Sequence, residues 1–346
     1  MKQQLFRDKE KTRYESIKDE LFNEEARKNG AYKKITRSFC IADEYSYENL
    51  YQGIRDSAIS YFLIRGIPWH DGLKGRHLPS NHLCCSQSCC VNFLFPLMKR
   101  PDLIKAIFHQ YYPDLKDPLP ITGDKPLTDG TYPFIAFEWI GTCDYLEEAK
   151  RKGMRRTRGA NFTSADFTFR FQTNDNKIHL VLGEWKYTEE YGRNYKGSGR
   201  AGEVRRNNYE KYFYKPEGVF STNLKKDRLF DSLFYEPFYQ LMRLQLLAQE
   251  MESHKGKEMD ADIVSVIHVC PDANLEFRKS VAPDYLNNKF TGMEVLDIWK
   301  KIVPADKFMS ISVEDLLDTI VSQVEGNNGN WVDYLKKRYD WRKKYA

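Results

Sequence analysis

Two short apolar segments separated by a turn constrain the fold of this chain more than any other feature. Residues 164–172 (SADFTFRFQ) alternate in polarity and place Phe167, Phe169 and Phe171 on one face of a strand. Residues 178–187 (IHLVLGEWKY) form a second strand, and the intervening TNDNK consists of turn-forming and polar residues. The pattern therefore predicts a β-hairpin with a buried face.

Apolar runs on both sides of this hairpin predict one mixed sheet with helices packed on it. Residues 133–140 predict a preceding strand, and the continuous apolar run 262–270 before Pro271 predicts a buried central strand. Helices are predicted over 5–28, 47–65, 82–98 (capped by Asn81), 233–252, 292–302, 312–324 and 330–344. The order helix, three strands, helix, strand predicts an α/β fold, in the α+β sense of a mixed sheet, with helical additions at both ends.

We divide the chain into three regions on this basis. Residues 1–77 form an N-terminal helical region, 78–275 form the core, and 276–346 form a helical extension packed on the core. Within the core, residues 192–228 are expected to be a long, mobile basic insertion, because loops of this length are usually functional or disordered. Residues 113–132 are expected to be a turn-rich loop.

The distribution of charge is more informative than its total. A net charge of +5 is too small to indicate a polyanionic partner. However, residues 150–158, 192–228 and 336–344 together carry +17, which leaves −12 on the rest of the chain. Such concentrated cations favour contact with a phosphate backbone. The candidate nucleic-acid contacts are Arg151, Lys152, Arg155, Arg156, Arg158, Arg193, Lys196, Arg200, Arg205 and Arg206.

The third basic segment overlaps an aromatic helix. Here the pattern favours burial of Trp331, Leu335 and Tyr339, with the cations of 336–344 pointing outward.

Several features bear on the cellular environment. The chain has no run of 18 apolar residues, so no transmembrane helix is expected, and its first residues have no apolar signal-peptide core. The seven cysteines include the cluster Cys84, Cys85, Cys89 and Cys90, which is unlike a secreted disulfide framework. We expect a protein of the reducing cytoplasm that does not bind membranes.

The predicted hairpin carries the strongest candidate for catalysis. Asp166 lies on its first strand, while Glu184 and Lys186 lie two residues apart on the second and project from one face. Two carboxylates form a hard oxygen site suited to Mg²⁺ or Mn²⁺. A metal ion at such a site acidifies water, and an adjacent lysine can orient that water or neutralise the charge that grows on a phosphate. Such a combination hydrolyses phosphodiesters.

The length of the turn decides whether these three side chains meet. A two-residue turn at Asp175-Asn176 would place Asp166 opposite Trp185, on the wrong face. An odd loop or a β-bulge would instead place Asp166 opposite Glu184 or Lys186. The site therefore requires an odd loop or a bulge, for which TNDNK is long enough.

The element order and the separated Asp166…Glu184-x-Lys186 signature resemble those of the PD-(D/E)XK nuclease superfamily, which has the restriction-endonuclease-like fold. The resemblance covers about residues 82–271. It implies a core of helix, three strands, helix and strand, with Asp166 and Glu184 as metal ligands and Lys186 as the catalytic lysine.

A narrower resemblance is carried by two helical stretches. The segment 82–92 (HLCCSQSCCVN), continuing to Phe95-Pro96-Leu97, resembles the first core helix of a bacterial branch of restriction endonucleases. That branch usually has Ser where Cys85 stands. The stretch Gln240-Leu241-x-Arg243 resembles a later helix of the same branch. This resemblance implies a restriction or phage-defence role. Many superfamily members have a glutamate on the first core helix, where this chain has polar residues instead. The accessory candidates are Ser86, Gln87, Glu138, Gln240 and Arg243.

Together these observations predict a Mg²⁺- or Mn²⁺-dependent endonuclease acting on DNA, for which a homodimer would allow both strands to be cut. Two alternatives stay open. The chain could be a catalytically silent nucleic-acid-binding protein that keeps the nuclease-like fold. Glu138 and Glu184, each beside a tryptophan, could instead be the acid/base pair of a glycoside hydrolase. That alternative leaves Lys186 and the basic segments without a role.

Overall fold

The computed structural model describes residues 4–73, 75, 77–149, 154–220, 224–324 and 329–342. The helices are α1 (Phe6–Leu21), α2 (Arg55–Arg65), α3 (Ser86–Leu94), α4 (Pro101–Phe108), α5 (Gly199–Phe213), α6 (Lys226–Ser232), α7 (Phe238–Ser253), α8 (Leu275–Arg278), α9 (Asp284–Lys289), α10 (Val295–Ile302), α11 (Val313–Val324) and α12 (Gly329–Tyr339). The strands are β1 (Gly30–Tyr32), β2 (Ile35–Arg37), β3 (Leu115–Leu119), β4 (Ile135–Trp139), β5 (Ala165–Thr173), β6 (Ile178–Trp185), β7 (Ile263–Cys270) and β8 (Phe308–Ser312).

The strands form a small β1–β2 hairpin and one six-stranded sheet. The large sheet has the order β3-β5-β6-β7-β8, and β4 pairs with β5 beyond the end of β3. The strands from β3 to β6 pair antiparallel, whereas β6, β7 and β8 run parallel. The predicted mixed α/β architecture is confirmed, and α3, β4, β5, β6, α7 and β7 follow one another in the predicted order.

Each face of the sheet packs against its own set of helices. Phe167, Phe169 and Phe171 of β5 face α3 and α4, where the Phe169 ring centroid lies 4.5 Å from that of Phe108. Leu180 and Leu182 of β6 face the opposite core, which contains α7 and α10. Since side chains alternate along a strand, Glu184 lies on the α7 face.

The turn of the central hairpin has the odd length that the candidate site requires. The Thr173 N–H donates to the Lys177 carbonyl at 2.8 Å, so three residues form the loop between these two. Asn176, the last of the three, has a φ of 65°, which is typical of three-residue hairpin loops. Phe167 consequently pairs with Gly183. In the same register, Asp166, which precedes Phe167, lies opposite Glu184, which follows Gly183.

Five expectations about local structure are wrong. The basic insertion 192–228 is not an irregular loop, because it contains α5 and α6, and Tyr209 and Phe213 of α5 are buried. The turn-rich loop 113–132 contains β3, and the C-terminal region contributes β8 to the sheet edge. Helix α3 begins at Ser86, and Asn81 does not cap it, because the Asn81 amide donates to the carbonyls of residues 31 and 41 instead. Helix α1 ends at Leu21, well before residue 28.

The C-terminal helix packs on the core as predicted, with one exception. Trp331, Leu335 and Tyr339 are buried. Arg338, expected to point outward, is fully buried; its guanidinium donates to the Asn49 carbonyl at 2.7 Å, and its carbonyl accepts from Arg13 of α1 at 2.7 Å. The cation is buried because polar groups from both ends of the chain surround it. Across the described residues, every helix is too short or too polar to cross a bilayer.

Candidate active site

Three carboxylates occupy neighbouring positions on three adjacent strands. Asp166 of β5 lies between Glu138 of β4 and Glu184 of β6, since Phe137 pairs with Phe167 and Phe167 with Gly183. Burial and the nearby Glu184 raise the pKa of Asp166 well above its ordinary value, because both disfavour a further negative charge. The Asp166 carboxylate accepts a hydrogen bond of 2.6 Å from the Trp185 N–H.

Lys186 supplies the positive charge of this site. Its Nζ lies 2.6 Å from Glu184 Oε1 and donates to Gln240 Oε1 at 2.7 Å. Burial by itself would lower the pKa of Lys186, but Glu184, Tyr191 and other negative or ionisable groups outweigh it and raise the pKa well above its ordinary value. Lys186 is therefore a fixed cation, and the Gln240 amide, which also donates to Tyr191 at 3.1 Å, determines its position.

Glu138 is held in place by side chains from other elements. It accepts from Gln87 Nε2 of α3 at 2.7 Å and from Ser164 Oγ at 3.1 Å, and His70 Nε2 lies 4.0 Å away. Its φ of 50° is left-handed, a strained conformation that is often found at functional sites. Burial raises the pKa of Glu138, and the charge of Glu184 adds to this effect.

Helix α3 begins at the edge of the same site. Ser86, its first residue, donates to the Trp185 carbonyl at 3.1 Å, and Gln87 contacts Glu138. Trp185 itself turns to the opposite face, where its ring centroid lies 5.1 Å from that of Phe93. The first two residues of this helix, both polar, therefore border the carboxylates.

One cavity of about 690 Å³ is lined by the three carboxylates, Lys186, Gln240, Ser86, Gln87, Ser164 and His70. Its far wall includes Arg243 of α7, whose Nε donates to Thr163 Oγ1 at 3.0 Å and whose Nη2 lies 3.6 Å from Glu148. Burial would lower the pKa of Arg243, but Tyr209 and Glu148 outweigh it and raise the pKa. The predicted catalytic residues and all five accessory candidates thus lie around one cavity.

The ten candidate nucleic-acid contacts are placed less uniformly. Arg151 and Lys152 lie outside the described residues. Arg155 and Arg200 are exposed. The other six have partners within the chain. Two donate to backbone carbonyls, Arg156 to that of Gly141 and Arg205 to that of Lys196. Four form ion pairs: Arg158 with Asp124, Arg193 with Asp284, Lys196 with Glu236 and Arg206 with Asp231. Of these six, Arg205 lines the cavity.

The sequence analysis did not identify several residues of the cavity wall. These are His70, Glu148, Thr163, Ser164, Glu189, Asn208, Tyr209 and Tyr239. Most of them lie in loops or on α5. The segment that contains α5 had been expected to be an irregular insertion. One available signal was the spacing of Arg205 and Tyr209, which are four residues apart and therefore share a helix face.

The donor set fits a hard divalent cation. Asp166 and Glu184 are adjacent across two strands, and the ammonium group of Lys186 lies beside them. Among the described residues no group of three His, Cys, Asp or Glu side chains is arranged to hold a metal ion. An ion here would therefore complete its shell with water or substrate oxygens, as Mg²⁺ commonly does.

Comparison with known proteins is consistent with this geometry. The family model described as restriction endonuclease associating with ARP, REase-ARP, matches residues 10–340, and the chain belongs to this family. Membership indicates a nuclease role. No curated protein and no solved structure matches the chain.

Proposed function

We propose that this chain is an endonuclease of the PD-(D/E)XK type, with a restriction-endonuclease-like core, that hydrolyses DNA with Mg²⁺ or Mn²⁺ in a restriction or phage-defence role. The observation that carries the proposal is the register of the central hairpin. It places Asp166 opposite Glu184, and Lys186 follows on the same face with its Nζ 2.6 Å from the Glu184 carboxylate. The order α3, β4, β5, β6, α7, β7 supports the assignment of the core.

The proposed mechanism assigns a separate task to each residue. Asp166 and Glu184 would hold the metal ion, which supplies Lewis acidity to a phosphoryl oxygen and lowers the pKa of water. Lys186 donates hydrogen bonds toward the attacking water or the phosphate oxygens and neutralises charge that develops there. Gln240 keeps the Lys186 ammonium directed into the cavity.

Other groups of the cavity would bind the substrate backbone. Arg205 and Arg243 line the same cavity as the sheet carboxylates, and guanidinium groups are suited to phosphate oxygens. The N-terminal end of α3 also faces the cavity through Ser86 and Gln87. A phosphodiester would thus meet cationic groups from α5 and α7 and carboxylates from the sheet.

Cleavage of plasmid DNA tests this proposal. We expect nicking or linearisation with Mg²⁺ or Mn²⁺, and none in EDTA. Lys186→Met and Asp166→Asn should each lower the rate by about 10²-fold or more, because Lys186 would neutralise the developing charge and Asp166 would hold the metal ion. Lys177→Met is the matched control, since Lys177 lies on the same hairpin but is exposed and paired with Asp175.

The same experiment separates the proposal from its alternatives. Salt-sensitive DNA binding without metal-dependent cleavage would identify a catalytically silent binding protein. Parallel reactions on single-stranded DNA and RNA define the preferred substrate. Double-strand cuts that follow second-order dependence on protein concentration would support a homodimer, in which each copy cuts one strand.

A further inference from the structure

A second cleft opens directly beside the active-site cavity. It has a volume of about 530 Å³ and shares His70, Ser86, Gln87 and Glu189 with that cavity. About half of the remaining wall comes from the N-terminal region, which the proposed mechanism does not use. A substrate that extends beyond the cavity in this direction would enter the cleft.

The β1–β2 hairpin (30–37) forms one wall of this cleft and is firmly anchored. Tyr32, Lys33 and Arg37 line the cleft. The Asn81 amide donates to the Ala31 carbonyl at 3.0 Å, and the Ala31 N–H donates to Asp43 at 2.9 Å. The hairpin is therefore a fixed projection and not a free loop end.

The turn of this hairpin carries two lysines in an unfavourable conformation. Tyr32 pairs with Ile35, so Lys33 and Lys34 are the two central residues, and their φ values are 52° and 67°. Two-residue hairpin turns with positive φ at both positions strongly favour Asn-Gly. Lysine at both positions is a strained choice, and such strain is concentrated at functional sites.

The cations of the hairpin are available for a ligand. Lys33, Lys34 and Arg37 are exposed, and across the described ranges none of the three forms an ion pair. Arg7 and Lys11, which also line the cleft, are instead neutralised by Glu190 at 2.5 Å and Asp8 at 3.1 Å. The hairpin thus supplies positive charge that no carboxylate of the described residues neutralises, while Asp71 and Glu189 of the cleft wall are negative.

Aromatic rings line the cleft below these cations. The His82 ring centroid lies 4.5 Å from that of Tyr32 and 4.9 Å from that of Phe39, and all three side chains are partly exposed. Cations above a partly exposed aromatic surface are the combination that binds nucleic-acid strands, through phosphate contacts and base stacking.

We infer that the β1–β2 hairpin and its cleft bind the nucleic-acid strand that flanks the scissile phosphate, with Lys33, Lys34 and Arg37 on its phosphates. The inference rests on the proposed nuclease function, because it assigns the cleft to the same substrate. It adds a binding surface from a region that carries none of the basic segments identified in the sequence.

The test is fluorescence anisotropy of labelled duplex and single-stranded DNA in EDTA, with Lys33→Asn/Lys34→Gly as the main variant. This variant removes both cations and installs the preferred turn, so its melting temperature should be unchanged or higher. We expect affinity to fall about ten-fold or more, and the slope of log Kd against log salt to decrease by about 1.8, the value for two lost phosphate contacts.

The matched control replaces three exposed lysines that line neither cavity, Lys257, Lys289 and Lys301, by glutamine. It should bind nearly as well as the wild-type chain. If the hairpin variant and the control bind alike while the wild-type chain binds and cleaves DNA, the hairpin inference is overturned and the nuclease proposal stands. If the wild-type chain binds no nucleic acid, the proposed function itself fails.

Discussion

Gln240 is the residue through which α7 acts on the candidate site. Its Oε1 accepts from Lys186 Nζ at 2.7 Å, so it fixes the ammonium group from the side of α7. We predict that Gln240→Leu lowers the turnover number by about ten- to hundredfold, as loss of such a supporting contact commonly does, with little effect on the Michaelis constant.

Single-turnover cleavage at saturating DNA measures this effect. Tyr191→Phe is the matched control, because it removes only the hydroxyl that accepts from the other side of Gln240. It should lower the turnover number much less. An equal loss in both variants, or a change confined to DNA affinity, would contradict a positioning role for Gln240.

Gly183 determines how closely strands β5 and β6 approach. A Cβ at this position would overlap the ring of Phe167, its partner on β5. Gly183→Ala should therefore lower the free energy of unfolding by about 1–3 kcal/mol, the usual range for overpacking. Urea denaturation measures this, and Gly192→Ala, where nothing lies within 4 Å, should leave stability nearly unchanged.

At the scale of elements, a buried charge cluster ties α2 to the loops around the sheet. Asp124 accepts from Tyr61 at 2.7 Å and lies 2.9 Å from Arg65 Nε and 3.0 Å from Arg158 Nη2. Burial by itself would raise the pKa of Asp124, but Arg158, Arg65 and Tyr61 outweigh it and lower the pKa. Arg158, expected to contact nucleic acid, is thus placed in a structural cluster.

The sign of this pKa shift predicts a pH dependence. A lowered folded-state pKa stabilises the fold above about pH 4, and this stabilisation is lost as the pH falls through the folded-state pKa. Asp124→Asn should lower the free energy of unfolding by about 3–5 kcal/mol at neutral pH, because it leaves buried guanidinium groups unpaired. The difference from the wild-type chain should shrink below about pH 4.

Denaturation at several pH values provides the measurement. Asp129→Asn is a suitable control, since Asp129 pairs with Lys99 on the surface and should not affect stability. A difference between Asp124→Asn and the wild-type chain that stays constant down to low pH would show that the Asp124 charge is not the cause.

At the scale of the whole molecule, charge segregation predicts how binding responds to salt. If about six phosphate contacts form, affinity for DNA should fall by about 10³ between about 50 and 200 mM salt. Six of the ten candidate cations already have partners within the chain, so hairpin residues 33, 34 and 37 are expected to supply a share. A salt titration followed by anisotropy checks this, and a flat response would contradict it.

Both ends of the chain contribute to the same molecule-wide packing. Arg338 of α12 is surrounded by groups from α1 and from the segment before α2, which closes the core over α3. The basic segment 336–344 is therefore partly structural. A charge pattern cannot distinguish a buried arginine from an exposed one, because burial depends on acceptors that are distant in sequence.

A strong side-chain period is enough to predict some elements of this fold, whereas other elements depend on long-range packing. The alternation around Phe167 and Phe169 and the apolar run of β7 specified strands, because burial of those faces permits little else. The sequence pattern identified Asp166, Glu184 and Lys186 as candidates. Whether their side chains share one face of the sheet depended on the three-residue turn, because one residue more or less would move Asp166 to the other face. The sequence pattern did not predict helix α5, strand β8 or the partners of the basic residues. Long-range packing, and not local side-chain period, stabilises these features.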